Sequence, residues 1–309
     1  MSGHAYLSLT TFSLFALSSS LSAFGQDASQ PPAPVPAVIS KLAFQVPRDA
    51  ASGIGIEKIL PLGEVYVLDS YNSKPRHLVL GEFPAISPDG ARIAYCERAG
   101  DGRGYGQMYV INADGSGRKQ ITNVKHAGEC FPQWSPDGLR IVFVEFGDHT
   151  STIRVMDSDG QNPKSITSGS HPKWSPDGKG ILFTRSDGGT NVSIWVVNAD
   201  GTEVHKITEV NYPPVNPSWF PDGQAIAFEQ KLNDRTAIYE VNVDGTNLHL
   251  LQSNDQVALY AQILSPNGKF LVAEAQATRS LPMVVLIEVS THRAWPLARG
   301  TNANLLWNK

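Results

Sequence analysis

The stretch FPQWSPDGLRIVF, residues 131–143, decides the fold. It places a Ser-Pro-Asp-Gly turn between two runs that are rich in aromatic and β-branched residues. Proline presets φ at the second turn position, aspartate accepts nearby backbone hydrogen bonds, and glycine tolerates the left-handed exit. The stretch therefore predicts two antiparallel β-strands joined by a tight turn.

The same turn recurs along the chain. Five copies begin at Ser87, Ser135, Ser175, Phe220 and Ser265. Their starts are separated by 48, 40, 45 and 45 residues, which is the period of a four-stranded propeller blade. After each copy come a β-rich run, a variable loop and a third run. In four copies an Asn/Asp-x-Asp-Gly turn and a fourth strand follow, so each unit is predicted to form one blade.

A propeller must close, and the two ends of the chain supply the closure. Residues 41–79 resemble the second to fourth strands of a blade that has no first strand. Leu305-Leu306-Trp307-Asn308 matches the residues around Trp134-Ser135. We expect this C-terminal strand to become the innermost strand of the N-terminal blade, which removes an open sheet edge. The predicted fold class is an all-β, six-bladed β-propeller over residues 41–309, with about 45 residues a blade.

Composition excludes several classes of protein. The 309 residues are 41% hydrophobic and 17% charged, which is enough apolar mass for a packed core. The net charge is -4, without the basic excess that phosphate neutralisation requires. Nucleic acid is therefore not an expected partner.

The N-terminus reads as a leader followed by a linker. Residues 1–25 contain no Asp, Glu, Lys or Arg, and their apolar core, 7–21, is too short and too polar to span a bilayer. Ala23-Phe24-Gly25 has the small residues of a signal peptidase site, so cleavage before Gln26 is predicted, with an uncleaved leader as the alternative. Residues 26–40 form a Pro-rich linker. We expect a periplasmic or secreted protein without a membrane span.

The repeats resemble the WD-like (PD40-type) repeats of the TolB family. The likeness covers residues 41–309 and is carried by Trp-Ser-Pro-Asp-Gly at 134–138 and 174–178, each followed by the second Asp-Gly turn. It implies a periplasmic six-bladed propeller that docks a peptidoglycan-associated lipoprotein. The family also has an N-terminal α/β domain, and only the 15 residues 26–40 lie between the leader and the first blade here. Contacts that the family makes through its N-terminal segment are therefore not implied.

The predicted topology gives the propeller two unlike faces. The turn face carries the Ser-Pro-Asp-Gly and Asn-x-Asp-Gly turns. The link face carries the blade-to-blade links and the loops between second and third strands. Those loops vary in length, so we predict that binding occurs on the link face. The residues predicted to reach the channel mouth there are His126, Glu129, His171, Asn216, Tyr260, Asn304, Glu97, Glu145, Arg185 and Gln230.

Two hypotheses of function follow. The first is a monomeric, non-catalytic binding or scaffold module without metal or cofactor, whose partner is a protein or another cell-envelope ligand, lipoprotein-like or glycan. The alternative is a propeller enzyme, a metal-assisted polysaccharide lyase or hydrolase, because His126, His149 and His171 all fall in link-face loops. Similar repeats also cap prolyl-oligopeptidase-like enzymes, but no G-x-S-x-G elbow is present. Cys96 and Cys130 both approach the link face, and export permits a disulfide between them.

Overall fold

The computed structural model describes residues 39–46, 63–70, 73–98, 106–123, 128–147, 150–186, 192–210, 216–232, 235–252, 257–277, 282–291, 293–299 and 301–307. Within these ranges the regular secondary structure is entirely β, in 24 strands that form six four-stranded antiparallel sheets. In this described part, no helix is long and apolar enough to cross a membrane. Each sheet is one blade, so the predicted six-bladed propeller is confirmed.

Each blade runs from an inner strand at the channel to an outer strand at the rim. In that order, blade I comprises β24 (Thr301–Trp307), β1 (Ile39–Val46), β2 (Glu64–Leu68) and β3 (Arg76–Leu80). Blade II comprises β4 (Glu82–Ile86), β5 (Arg92–Glu97), β6 (Gln107–Asn112) and β7 (Lys119–Gln120). Blade III comprises β8 (Gly128–Trp134), β9 (Arg140–Phe146), β10 (Ser151–Asp157) and β11 (Lys164–Ser168).

The other three blades follow the same order. Blade IV comprises β12 (Ser170–Trp174), β13 (Gly180–Ser186), β14 (Val192–Asn198) and β15 (His205–Val210). Blade V comprises β16 (Ser218–Trp219), β17 (Ala225–Leu232), β18 (Arg235–Asn242) and β19 (His249–Gln252). Blade VI comprises β20 (Val257–Leu264), β21 (Phe270–Ala277), β22 (Met283–Glu288) and β23 (Ala294–Arg299).

The inner strands surround the channel. β24 contacts β4, β4 contacts β8, β8 contacts β12, and β20 contacts both β16 and β24. Five of the inner strands lead directly into the first turn of their blades, and β24 is antiparallel to β1. All six therefore run from the link face to the turn face. The closing strand lies where it was expected: β24 pairs with β1, with Leu305 opposite Leu42 and Asn304 opposite Ala43.

The turns have the chemistry that their sequence predicts. The Ser87 hydroxyl donates to Asp89 Oδ1 (2.5 Å), and Gly90 N donates to Ser87 O (2.8 Å). Gly90 has φ +72°, a conformation that glycine adopts without steric cost. The Ser87 hydroxyl and the backbone of Ala91 stabilise the ionised carboxylate, so the pKa of Asp89 lies below its usual value.

The hydrophobic core lies between the blades. Six apolar clusters each join two adjacent blades, and one of them joins Leu42 and Phe44 of blade I to Val272 and Trp295 of blade VI. The largest fully buried side chains occupy equivalent positions in the second strands of blades II to V; these are Tyr95, Phe143, Phe183 and Phe228. Burial of each contributes roughly 1.5–3 kcal/mol. The ring of blades is therefore closed by packing as well as by β24.

Candidate functional site

The inner strands of blades II, III and IV carry a β-bulge near the link face. The pairing register shifts between Glu82 and Ala85 in β4, between Cys130 and Gln133 in β8, and between Ser170 and Lys173 in β12. One residue in each bulge has a left-handed backbone: Phe83 (φ 52°), Phe131 (φ 58°) and His171 (φ 52°). This conformation costs a non-glycine residue roughly 1–2 kcal/mol.

These three side chains form a continuous surface, which we call the aromatic arc (Phe83, Phe131 and His171). The ring centroids of Phe83 and Phe131 are 4.2 Å apart, and those of Phe131 and His171 are 5.3 Å apart. Phe146, at the end of β9, packs on Phe131 from the side at 5.9 Å. All three arc residues are partly exposed. The arc therefore offers an apolar contact surface on the link-face side of blades II to IV.

In five of the second strands, a residue at one equivalent position is polar or contains sulfur and contacts the inner part of the propeller. We call this set the bridging position; its members are Gln45, Cys96, Thr184, Glu229 and Glu274. Gln45 Oε1 accepts a hydrogen bond from Phe83 N (3.3 Å). The Thr184 hydroxyl donates to Ser170 O (3.1 Å) and lies 3.2 Å from His171 Nδ1. The bridging position thus fixes the backbone on which the arc is built.

In blade II the residue at the bridging position forms a covalent bond to the next blade. Cys96, on β5, forms a disulfide with Cys130, on β8 of the next blade, with their Cα atoms 5.5 Å apart. Cys130 directly precedes Phe131 in the chain. The disulfide therefore fixes the bulge that holds the central ring of the arc.

A charged sector lies along blades IV, V and VI. Lys173 is the only lysine or arginine of the six inner strands within the described residues. Burial lowers its pKa to about 8, while Glu229 and Glu274 act in the opposite direction. Asn216 Nδ2 donates to Glu229 Oε1 (2.8 Å), and Ala303 N donates to Glu274 Oε1 (3.4 Å). The channel wall therefore has an aromatic sector and a charged sector.

Three of the predicted residues at the ends of second strands contact side chains of their own blades. Glu97 forms an ion pair with Arg118 (2.5 Å), and Glu145 forms one with Arg154 (2.5 Å). The Arg185 guanidinium lies 3.6 Å from the centroid of the Trp195 ring. The side-chain amide oxygen of Gln230, Oε1, is buried and has no hydrogen-bond partner in the described part of the chain.

Glu129 and Asn304 are also part of the inner wall. Asn304 Oδ1 accepts a hydrogen bond from Ile86 N (2.9 Å), which joins blade I to blade II. Glu129 is only 3% exposed and lies opposite Glu145 in register. Burial raises the pKa of Glu129, with a smaller contribution in the same direction from Glu145, while a hydrogen bond with Thr122 opposes the increase.

The remaining predicted residues fall partly outside the described part. His126 and His149 are outside it, as is the side chain of Tyr260. The histidine trio therefore has only His171 within the described ranges. Among the side chains that are described, no group of three or more His, Cys, Asp and Glu residues is arranged to hold a metal ion.

The sequence prediction included His171 but missed the two phenylalanines of the arc and the charged residues of blades IV to VI. The sequence contains a signal for Phe83 and Phe131, since an aromatic residue immediately precedes proline in both inner strands. It also contains a signal for Lys173, because this charged residue lies inside an otherwise buried strand, directly before Trp174. Glu229 is one residue before Gln230, the predicted end of a second strand.

Titration of His171 makes stability depend on pH. Burial, and then the nearby charge of Lys173, lower the pKa of His171 from 6.5 to about 4. Since the unfolded chain binds this proton more tightly, the contribution of neutral His171 is complete above pH 6.5 and is lost as pH falls towards 4. We expect His171→Phe, which copies Phe83 and Phe131, to lose less stability between pH 7 and pH 4.5. Urea unfolding at both pH values measures the difference.

The buried Glu129 acts in the opposite direction, because its raised pKa makes the folded state less stable as pH rises. That effect is common to both chains and cancels in the comparison. Equal losses of stability in the parent and in His171→Phe would show that His171 does not titrate in this window.

Comparison with known proteins gives a consistent family match. A family model described as the TolB beta propeller domain (PD40) matches residues 91–304. The Tol-Pal system protein TolB of Bordetella pertussis is 30% identical over 158 residues, which cover 50% of this chain and 35% of that protein. The matched segments span less than half the length of each curated relative.

Two solved structures show the fold at low sequence identity. TolB from Acinetobacter baumannii has a TM-score of 0.69 at 19% identity, over 87% of this chain and 66% of that chain. An oligogalacturonate lyase from Vibrio parahaemolyticus has a TM-score of 0.54 at 16% identity, over 77% of this chain and 71% of that chain. At these identities the likeness concerns the propeller alone.

Proposed function

Because the chain belongs to the TolB β-propeller domain family, we propose that it is an exported, non-catalytic binding module of the cell envelope. Its partner is a protein that docks on the link face, over the channel mouth. The aromatic arc is the centre of the docking site, and the charged sector of blades IV to VI forms its polar side.

One observation carries the proposal. Phe83, Phe131 and His171 keep a left-handed backbone at equivalent positions of three consecutive blades, although each precedes a proline. The residue before proline normally takes an extended backbone, so this arrangement is costly. Backbone strain of this kind persists where the surrounding structure enforces it, and it is concentrated at binding and catalytic sites. Here the strained residues are those whose rings form the partly exposed aromatic surface.

The rigidity of the site also favours binding. The bulges are fixed by the Cys96–Cys130 disulfide, by Gln45 and by Thr184, each through a direct contact with an inner strand. A surface that is ordered before the partner arrives loses little conformational entropy on docking. The arc can therefore act as a preformed surface for an apolar side chain.

The charged sector supplies specificity. Lys173 lies on the same strand as His171, and Glu229, which accepts a hydrogen bond from Asn216, lies on the neighbouring blade V. A partner therefore meets apolar and charged groups side by side. Aromatic residues at the centre of an interface, with polar groups around them, are typical of protein docking sites. This pattern favours a protein segment with one apolar anchor over a uniformly charged ligand.

The location and the partner class rest on the sequence and the relatives. The predicted signal peptide of residues 1–25 and a relative named for the Tol-Pal system both favour the periplasm. A protein of the cell envelope is then the expected partner, and the propeller acts as a monomer.

The test is affinity capture from a cell-envelope extract. The parent chain is compared with His171→Ala/Asn216→Ala, which alters the link-face site, and with Leu139→Ser, which alters an exposed turn-face residue. We expect the parent and Leu139→Ser to retain the same protein, and the double variant to retain at least tenfold less, a loss of about 1.4 kcal/mol or more.

Thermal unfolding of all three chains separates a lost site from a lost fold. Equal retention of the captured protein by the parent and the double variant would show that the partner does not bind at the link face. If instead the purified parent retained one transition-metal ion per chain, lost it in His171→Ala and cleaved a polysaccharide, the enzyme alternative would replace the binding module.

A further inference from the structure

The outer strand of each blade has one edge without a partner strand, because within the described residues it pairs only with the third strand of its own blade. The free N–H and C=O groups of such an edge can pair with another chain, so proteins protect edges with charged residues or proline. Five of the six outer strands that the structure describes carry such residues: Arg76 in β3, Lys119 in β7, Lys164 in β11, Lys206 in β15, and Pro296 with Arg299 in β23. β19 (His249–Gln252) has the sequence HLLQ, without Lys, Arg or Pro. Its edge is therefore open to another strand.

Two exposed leucines lie at this edge. Leu248, directly before β19, is 48% exposed, and Leu250 is 44% exposed. Side chains alternate along a strand, so both leucines lie on one side of it and His249 lies on the other. On that other side, His249 Nε2 is 3.6 Å from Glu240 Oε2. The open edge thus has an apolar side and a polar side.

On the apolar side, a leucine replaces a cation of the neighbouring blade. In blade V, Leu250 pairs in register with Tyr239 of β18, which is partly exposed. In blade IV the equivalent pair is Lys206 and Trp195, with the Lys206 ammonium 5.9 Å from the ring centroid. Blade V therefore presents a continuous apolar surface, which we call the blade V strip (Tyr239, Leu248 and Leu250).

Leu248 also stands where another blade has a cation. It follows Asn247, a residue with a left-handed backbone, as Arg118 of blade II follows the left-handed Gly117. The Arg118 guanidinium lies 4.1 Å from the centroid of the Tyr109 ring. In blade V, leucines thus replace the cations that blades II and IV hold against an aromatic ring.

The charge of this hairpin indicates what covers the strip. Residues 236–252 contain Glu240 and Asp244 and no Lys or Arg. Hydrogen bonds from the Thr246 hydroxyl and backbone lower the pKa of Asp244, so its carboxylate is ionised at neutral pH. A second copy of the chain would bring the same two carboxylates to the interface, and like charges repel. A segment with a basic residue is favoured instead.

We propose that the free edge of β19 binds an extended segment of a partner protein, which adds a fifth strand to the four-stranded blade V. Backbone hydrogen bonds with β19 hold the segment, and its alternate apolar side chains pack on the blade V strip. A basic residue of the segment lies near Glu240 or Asp244. The surface is on the outer strand, so it shares no residue with the site proposed on the link face.

Fluorescence anisotropy with a labelled synthetic peptide tests this inference. The peptide alternates valine with threonine and has a lysine at each end. We expect saturable binding to the parent and at least tenfold weaker binding to Leu250→Lys, which copies Lys206 of blade IV. Leu139→Lys places the same charge at an exposed leucine of the turn face and should bind like the parent. Phe131→Ala, which alters the link face, should also bind like the parent.

A second peptide separates strand pairing from apolar adhesion. The same sequence with every backbone nitrogen methylated keeps its side chains but donates no backbone hydrogen bonds, so it should not bind. Equal binding of the two peptides, or equal binding to the parent and to a folded Leu250→Lys chain, would overturn strand addition at β19. Absence of saturable binding to the parent would do the same. If the parent dimerises and Leu250→Lys does not, the occupant is a second copy and the partner assignment is wrong.

Discussion

A chain that ends at residue 300 is expected to lose the cooperative unfolding transition of the full-length protein. The deletion removes β24 (Thr301–Trp307), which is the inner strand of blade I and contacts β4 and β20 of the two neighbouring blades. Its loss leaves the backbone of β1 unpaired at the channel and opens the apolar cluster between blades I and VI. Buried backbone groups without partners are costly, so the loss extends beyond one blade. Thermal unfolding followed by circular dichroism measures it.

The matched control is a chain that ends at Trp307. It keeps all of β24 and removes only residues 308 and 309, so it should unfold like the parent. Equal transition midpoints for the two shortened chains would mean that closure by β24 contributes little to stability.

Removal of the disulfide is the second large effect. Cys96→Ala/Cys130→Ala opens a covalent loop with a sequence separation of 34. For a loop of this size, the restriction of the unfolded chain corresponds to roughly 3–4 kcal/mol of stability. We expect the free energy of unfolding in urea to fall by about that amount, with the fold retained, because five other inter-blade clusters remain.

A reducing agent provides the control for this prediction. It should lower the stability of the parent to near that of the double alanine variant, and it should leave the variant unchanged, since the chain has only two cysteines. A parent whose unfolding midpoint is the same with and without reductant would contradict a stabilising bond between these residues.

Most of the fold could be predicted from the sequence because the turns determine it locally. Ser87-Pro88-Asp89-Gly90 and its counterparts restrict φ and satisfy their own polar groups, so each turn forms independently of distant contacts. Their spacing then gave the number of blades, and the apolar strand at 305–307 gave the closure. The bulges could not be predicted, since a residue before proline normally favours an extended backbone, and Phe83, Phe131 and His171 do not follow this preference.

The alternation of side chains along a strand explains why one site residue was missed. Side chains alternate between the two faces of a strand, so a difference of one residue reverses the face on which a side chain lies. The prediction used Gln230 at the end of a second strand, whereas the side chain that contacts the segment before β16 is one residue earlier, at Glu229, which accepts a hydrogen bond from Asn216. Phe131 and Lys173 gain their positions from contacts between blades, which the sequence of one blade does not contain.

The central claim is that the aromatic arc is a docking surface, and the affinity of the captured partner tests it most directly. Isothermal titration calorimetry with the parent, Phe131→Ala and Leu139→Ala gives three dissociation constants under the same conditions. We predict at least tenfold weaker binding for Phe131→Ala, about 1.4 kcal/mol, and unchanged binding for Leu139→Ala. Equal affinity for the parent and a folded Phe131→Ala chain would contradict the account.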